Sequence, residues 1–171
     1  MVGKKKNDSG KCCDEKSSFD YEKTKVCTFK PLEIFCGKGS SAQFSTSDAT
    51  PGSIGFVTVD ARKLCNPLVK IKFSSIVSLA ATANDPEVQL TFTLFRVCDN
   101  EEPIELNSWT YESFQIQSRN IINGVETSFS FIYCDRLNCS RLCEYFVEVS
   151  ADTVARAGIA VDNVQIQAIA Q

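Results

Sequence analysis

From Val26 onward, period two dominates the apolar runs, and that period admits strands and little else. In "VTVDARKLCNPLVKIKFSS", Val69, Ile71 and Phe73 alternate with Lys70, Lys72 and Ser74. "EVQLTFTLFRVC" sets Val88, Leu90, Phe92 and Leu94 on one face against Gln89, Thr91 and Thr93. "VETSFSFIYC" alternates Phe129, Phe131 and Tyr133 with Ser128 and Ser130. Tyr145, Val147 and Val149 share a face in "EYFVEVS", and "VDNVQIQAIAQ" sets Val164, Ile166 and Ala168 against Gln165 and Gln167. A strand that alternates in this way buries one face and wets the other, so it needs a second sheet to cover it.

Turn signals separate the runs: "TPGS" at 50–53, "CNP" at 65–67, "NDP" at 84–86, "DNEEP" at 99–103 and "NG" at 123–124. Their spacing predicts an all-β, antiparallel two-sheet sandwich of the jelly-roll type with about eight strands. An immunoglobulin-like sandwich is the alternative. Only "ADTVARAG" at 151–158 breaks the period, and it predicts one short helical turn that Gly158 stops. The last strand runs almost to Gln171, and a sandwich leaves sheet edges that must be blunted, covered or paired. Residues 1–25 interleave Lys with Asp and Glu and show no apolar period, so they predict a flexible N-terminal arm ahead of a sandwich domain at 26–171.

The chain has no histidine, which removes the commonest general base and the usual nitrogen ligand of metals. Ser–His–Asp and Cys–His machinery are excluded with it. No phosphate loop and no nucleophile elbow is present. Asp60, Asp99, Glu105 and Asp135 flank strands, where charged residues mark turns. The residues therefore predict neither an enzyme nor a cofactor. A net charge of −3 spread over both signs gives no basic face for nucleic acid. No apolar run is long enough to insert in a membrane as a helix.

The chain is rich in cysteine, with nine residues: Cys12, Cys13, Cys27, Cys36, Cys65, Cys98, Cys134, Cys139 and Cys143. The spacing of Cys134, Cys139 and Cys143 fits a structural zinc site loosely and lacks a second tight pair, so no metal is assigned. Disulfides in an oxidising setting are the stronger reading. "MVGKKKNDSGKCC" carries no apolar signal segment, so either such a setting is reached by another route, such as release when the producing cell lyses, or a signal has been trimmed away. Nine is odd, so at least one thiol is free or bonded to another chain. Cys36, Cys65, Cys98, Cys134, Cys139 and Cys143 are candidates for internal pairing, with their connectivity open. Each bridge would stabilise by about 2–4 kcal/mol.

Cys12 and Cys13 are adjacent, and a ring between neighbours strains the intervening peptide. Each therefore seeks a different partner, and with Cys27 they are candidates for disulfides between chains. From Cys13 to Cys27 an extended arm spans about 45 Å at roughly 3.3 Å per residue, about the width of a small domain. It reaches far enough to grip neighbouring copies.

"VDARKLCNPLVKIKFSS", "FTLFRVCDNEEPIELNSWTY" and "FSFIYCDRLNCSRLCEYFVEV" resemble a small family of uncharacterised, cysteine-rich proteins of spore-forming clostridia, over roughly residues 52–171. That resemblance implies no activity. The arm resembles the connectors of bacterial endospore appendage subunits: a double cysteine, a polar spacer, a single cysteine and then a jelly roll. Lys11 stands where an apolar residue usually precedes the pair, and the spacer from Asp14 to Val26 is slightly long. The resemblance implies that Cys12 and Cys13 are connector thiols and Cys27 a receiving thiol. It also implies assembly in a mother cell, release on lysis to a spore surface or the exterior, and a spore-coat or surface anchor protein as a further partner.

The expectation is a structural subunit that forms a helical homopolymer of its own copies, held by edge-strand pairing and intermolecular disulfides. The alternative is a calcium- or carbohydrate-binding module on a cell or spore surface. "DNEEP" would supply hard oxygens for calcium. Trp109 and Tyr111 would supply a sugar platform, although a lone Trp in a sandwich more often packs in the core.

Overall fold

The computed structural model describes residues 32–64, 66–83, 85–99, 101–113, 124–138 and 141–171. The arm, Cys12, Cys13, Cys27, Cys65 and Cys139 lie outside the described residues. Those described form ten strands in two antiparallel sheets and no helix. Three short strands come first: β1 (Glu33–Cys36), β2 (Lys38–Gly39) and β3 (Ala42–Phe44). Seven long ones follow: β4 (Asp48–Asp60), β5 (Leu68–Ala81), β6 (Glu87–Cys98), β7 (Ile104–Ser113), β8 (Val125–Arg136), β9 (Leu142–Ala155) and β10 (Ala157–Ala170).

The first sheet has the order β1-β10-β5-β8, with β3 pairing β10 beyond β1; the second has the order β2-β4-β9-β6-β7. The chain swaps sheets at most connections, and β10 returns to lie between β1 and β5. This is the jelly-roll pattern the alternation predicts. The inward phases agree residue by residue with the apolar phases of the sequence. Val69, Ile71, Phe73 and Val77 of β5 are buried against Leu90, Phe92 and Leu94 of β6 and Tyr145, Val147 and Val149 of β9. Phe73 joins the layers, with ring centroids 5.0 Å from Phe131 and 5.9 Å from Phe92. Burying each such side chain stabilises by about 1.5–3 kcal/mol.

Two local expectations are corrected. The segment 151–158 holds no helical turn. Its residues end β9 and open β10, and Arg156 alone, at φ 57°, turns the chain from one sheet to the other. Thr153, Val154 and Ala155 are held in the ladder by Gln89, Val88 and Glu87, which outweighs the local helical tendency. "TPGS" at 50–53 is no turn either, because β4 runs through it. Pro51 lacks an N–H, and the register against β9 jumps between Asp48 and Gly52, so the missing donor falls in an irregular stretch. The signals at 65–67, 84–86 and 99–103 turn the chain at Asn66, Asp85 and Asp99, and Asn123 of the "NG" signal lies outside the described residues. Asn66, Asp85 and Asp99 have φ of 50°, 55° and 53°, which Asn and Asp tolerate better than most residues.

One lateral side of the sandwich is stitched shut by β1, β2 and β3. A Cβ on Gly39 would overlap the Val164 carbonyl oxygen, so only glycine lets these backbones approach. On the other lateral side, β7 and β8 end their sheets with no further strand among the described residues.

Candidate functional site: thiols, edges and outer faces

Two of the six cysteines expected to pair internally are joined to each other. Cys98 of β6 and Cys143 of β9 stand directly opposite in the ladder and form a buried disulfide, with Cα atoms 4.0 Å apart. Cys36 and Cys134 depart from the expectation and are free, exposed thiols. The register explains why they do not bond to each other. Cys36 sits opposite Gln167, Gln167 opposite Lys72, and Lys72 opposite Ile132, two residues before Cys134. Three interstrand steps of about 4.8 Å separate β1 from β8, far beyond the ~7 Å limit for a disulfide. Both side chains occupy the outward phase, so one sheet carries a free, exposed sulfur near each of its two edges.

Beneath Cys134, its neighbour Asp135 points the other way, into the sandwich. Asp135 Oδ2 accepts hydrogen bonds from Arg96 Nη1 at 2.7 Å and from the Tyr145 hydroxyl at 2.8 Å. Arg96 and Tyr145 belong to the second sheet, so this cluster ties the two sheets next to the Cys98–Cys143 bridge. Burial first, then the Asp135 charge, push the Tyr145 phenol well above its ordinary range.

The acids that flank strands do not converge. Asp60 accepts two side-chain hydrogen bonds from Arg62, at 2.7 and 2.9 Å, which hold its carboxyl down at about 2. Asp99 occupies a left-handed bend, Glu105 is exposed on β7, and Glu101 of the "DNEEP" turn accepts from Arg141 at 2.7 Å. Among the described residues no three Asp, Glu or Cys side chains are grouped as metal ligands would be. Trp109 is half-buried, and its ring is stacked on Phe131 at 3.8 Å between centroids, so that face is taken. Tyr111 meets Phe129 edge to face at 6.2 Å. These rings fill the side of the sandwich left open between β7 and β8.

The sequence reading passed over an aromatic row on the solvent face of the second sheet. Phe56 of β4 is opposite Phe146 of β9, which is opposite Phe95 of β6. The Phe95 and Phe146 rings stack at 5.1 Å, and Phe56 is 39% exposed. The signal was available: all three occupy the phase that carries polar residues elsewhere on their strands. The outer face of the first sheet is apolar near β1 and β8, where Ile34 is 64% and Ile132 57% exposed.

No curated protein matches the chain. Among solved structures, Eiger TNF from S. frugiperda aligns with a TM-score of 0.37 at 11% identity, over 80% of this chain and 93% of that one. A chain of the infectious bursal disease virus Gx strain aligns with a TM-score of 0.39 at 8% identity, over 82% of this chain and 36% of that one. A family model matches residues 31–171, the whole of the described sandwich, and on that match the chain belongs to the family described as a domain of unknown function, DUF4489.

Proposed function

We propose that this chain is a structural subunit that self-assembles into an extracellular or spore-surface fibre, its copies joined at sheet edges and locked by disulfides from the N-terminal arm. The observation that carries this reading is the placement of Cys36 and Cys134, two free and exposed thiols near opposite edges of one sheet. A chain with one such thiol can only dimerise through it, whereas two on opposite sides allow growth. Cys12 and Cys13 supply the complementary thiols. Each bond formed releases two protons and two electrons, which an oxidising disulfide or dioxygen takes up. The long edges of β7 and β8 add rows of main-chain donors and acceptors that another copy can pair.

The test is electrophoresis of the native assembly without reductant, with negative-stain imaging of the same sample. A ladder that collapses on reduction, together with filaments, is the expected result. Single particles and a lone monomer band in both lanes would overturn the reading. Cys36→Ser and Cys134→Ser, made separately, should each shorten the ladder, and the double variant should remove every rung that depends on these acceptors.

A further inference from the structure

The two outer faces of the sandwich carry charge of opposite sign next to exposed apolar side chains. On the first sheet, Lys70 and Lys72 stand on the interior strand β5 toward its Leu68 end, between Ile34 on β1 and Ile132 on β8, with Arg136 at the same end. The acids on this face, Glu126 and Asp162, sit toward its opposite end. On the second sheet, Glu144 and Glu148 bracket Phe146 on β9, and the Phe56–Phe146–Phe95 row crosses between them. Lys38 stands at the margin of that row. Among the described residues, Lys70, Lys72, Glu144 and Glu148 have no ion-pair partner. The second sheet thus offers an aromatic row flanked by unpaired glutamates, and the first offers unpaired lysines between isoleucines on its two edge strands.

We infer that these faces are complementary docking surfaces for a second copy of this chain, the basic face of one copy stacking on the acidic, aromatic face of the next. This rests on the reading of the chain as a self-assembling subunit and deepens it. Isolated exposed apolar residues need no explanation, but a transverse row of three phenylalanines on a solvent face marks a contact. Both halves of the contact are on one chain and point in opposite directions, so every docked copy presents a new free face. Such a head-to-tail contact extends unless its rotation closes a ring. Each face measures roughly 20 Å by 40 Å, from strands about 4.8 Å apart and rises of about 3.3 Å per residue, close to the ~800 Å² per partner of a stable interface. Sheets stacked this way sit about 10 Å apart, and the lysines and glutamates fix which face meets which.

The test uses the full chain kept reduced, so that no disulfide contributes, with sedimentation velocity at low and high salt. The parent should associate with rising concentration at low salt and dissociate at high salt, because exposed charges are screened beyond about 10 Å at 0.1 M. K70E/K72E and E144K/E148K should each weaken association by at least about tenfold, since like charges then meet across the contact. An equimolar mixture of the two should restore it, because the exchanged charges are complementary again. K70Q/K72Q, which adds no repulsion, should give an intermediate loss and guards against a misfolded charge reversal. A parent that stays monomeric at low salt, variants that associate like the parent, or a mixture that stays apart would each overturn the inference. A disulfide ladder without reduced association sinks the stacked faces and leaves the fibre reading standing. Reduced association without a ladder supports the faces and removes the covalent reading.

Discussion

The Tyr145 hydroxyl donates to Asp135 Oδ2 at 2.8 Å, across the interior from one sheet to the other, and Arg96 donates to the same oxygen at 2.7 Å. Removing the shared acceptor leaves a guanidinium and a phenol facing each other with nothing between. Asp135→Ala should therefore cost about 3–5 kcal/mol, whereas Tyr145→Phe, which leaves the ion pair in place, should cost about 1–2. Urea unfolding of the two variants checks the order. Equal losses would mean that the acceptor has no special place in the cluster.

The same burial gives a pH signature. The Tyr145 phenol ionises above its unfolded value near 10. Its contribution to stability is then complete below about pH 10 and is lost as pH rises past it, because only the unfolded chain gives up the proton. Phenolate absorbance should show one tyrosine that stays protonated until alkaline unfolding, and Tyr145→Phe should delete that late step.

Cys98 and Cys143 close a loop across a sequence separation of 45. In the chain-entropy account that closure amounts to about 4 kcal/mol. The Cys98→Ala/Cys143→Ala double variant should fall in denaturant midpoint accordingly. Alkylation of the unassembled subunit followed by peptide mapping should label Cys36 and Cys134 and spare this pair. Labelling of Cys143 at the rate of Cys134 would contradict the burial.

Gly39 and Gly52 make a paired test of the stitched side. A Cβ at Gly39 meets the backbone of Val164, which cannot swing away, whereas one at Gly52 meets nothing within 4 Å. Gly39→Ala should destabilise by more than about 2 kcal/mol, and Gly52→Ala should be neutral or gain up to about 1 by limiting the unfolded chain. Thermal unfolding of the two variants reads the difference.

Ser75 lies in the inward phase of β5, 3% exposed, and its hydroxyl has no hydrogen-bond partner among the described residues. Ser75→Ala removes the desolvated group and leaves little void. It should stabilise by about 1 kcal/mol in chemical denaturation.

The strands were legible in the sequence because a half-buried sheet writes its period directly: every inward residue of β5 and β6 named from alternation is buried. Local punctuation was read less well. Pro51 and Gly52 look like a turn, and nothing local says that β9 will hold the chain extended around a register break. Arg156 carries no turn signature, because the bend there is imposed by two sheets that diverge. The thiols divide in the same way. Cysteine count and spacing announce a disulfide framework, but whether two sulfurs can meet depends on strand order. Cys36 and Cys134 became candidate links only once β10 and β5 were found between them. The Phe56–Phe146–Phe95 row was hidden for a related reason. Its members are 39 and 51 residues apart along the chain, counted from Phe56 to Phe95 and from Phe95 to Phe146, and they share a row only through register.

β10 occupies the middle of the first sheet, between β1 and β5. During synthesis β1, β3 and β5 emerge long before residues 157–170 and must wait for them. The core therefore cannot close on a partial chain, and folding is deferred until that segment clears the ribosome. Nascent chains held on one messenger therefore carry an unfinished first sheet until that segment is made.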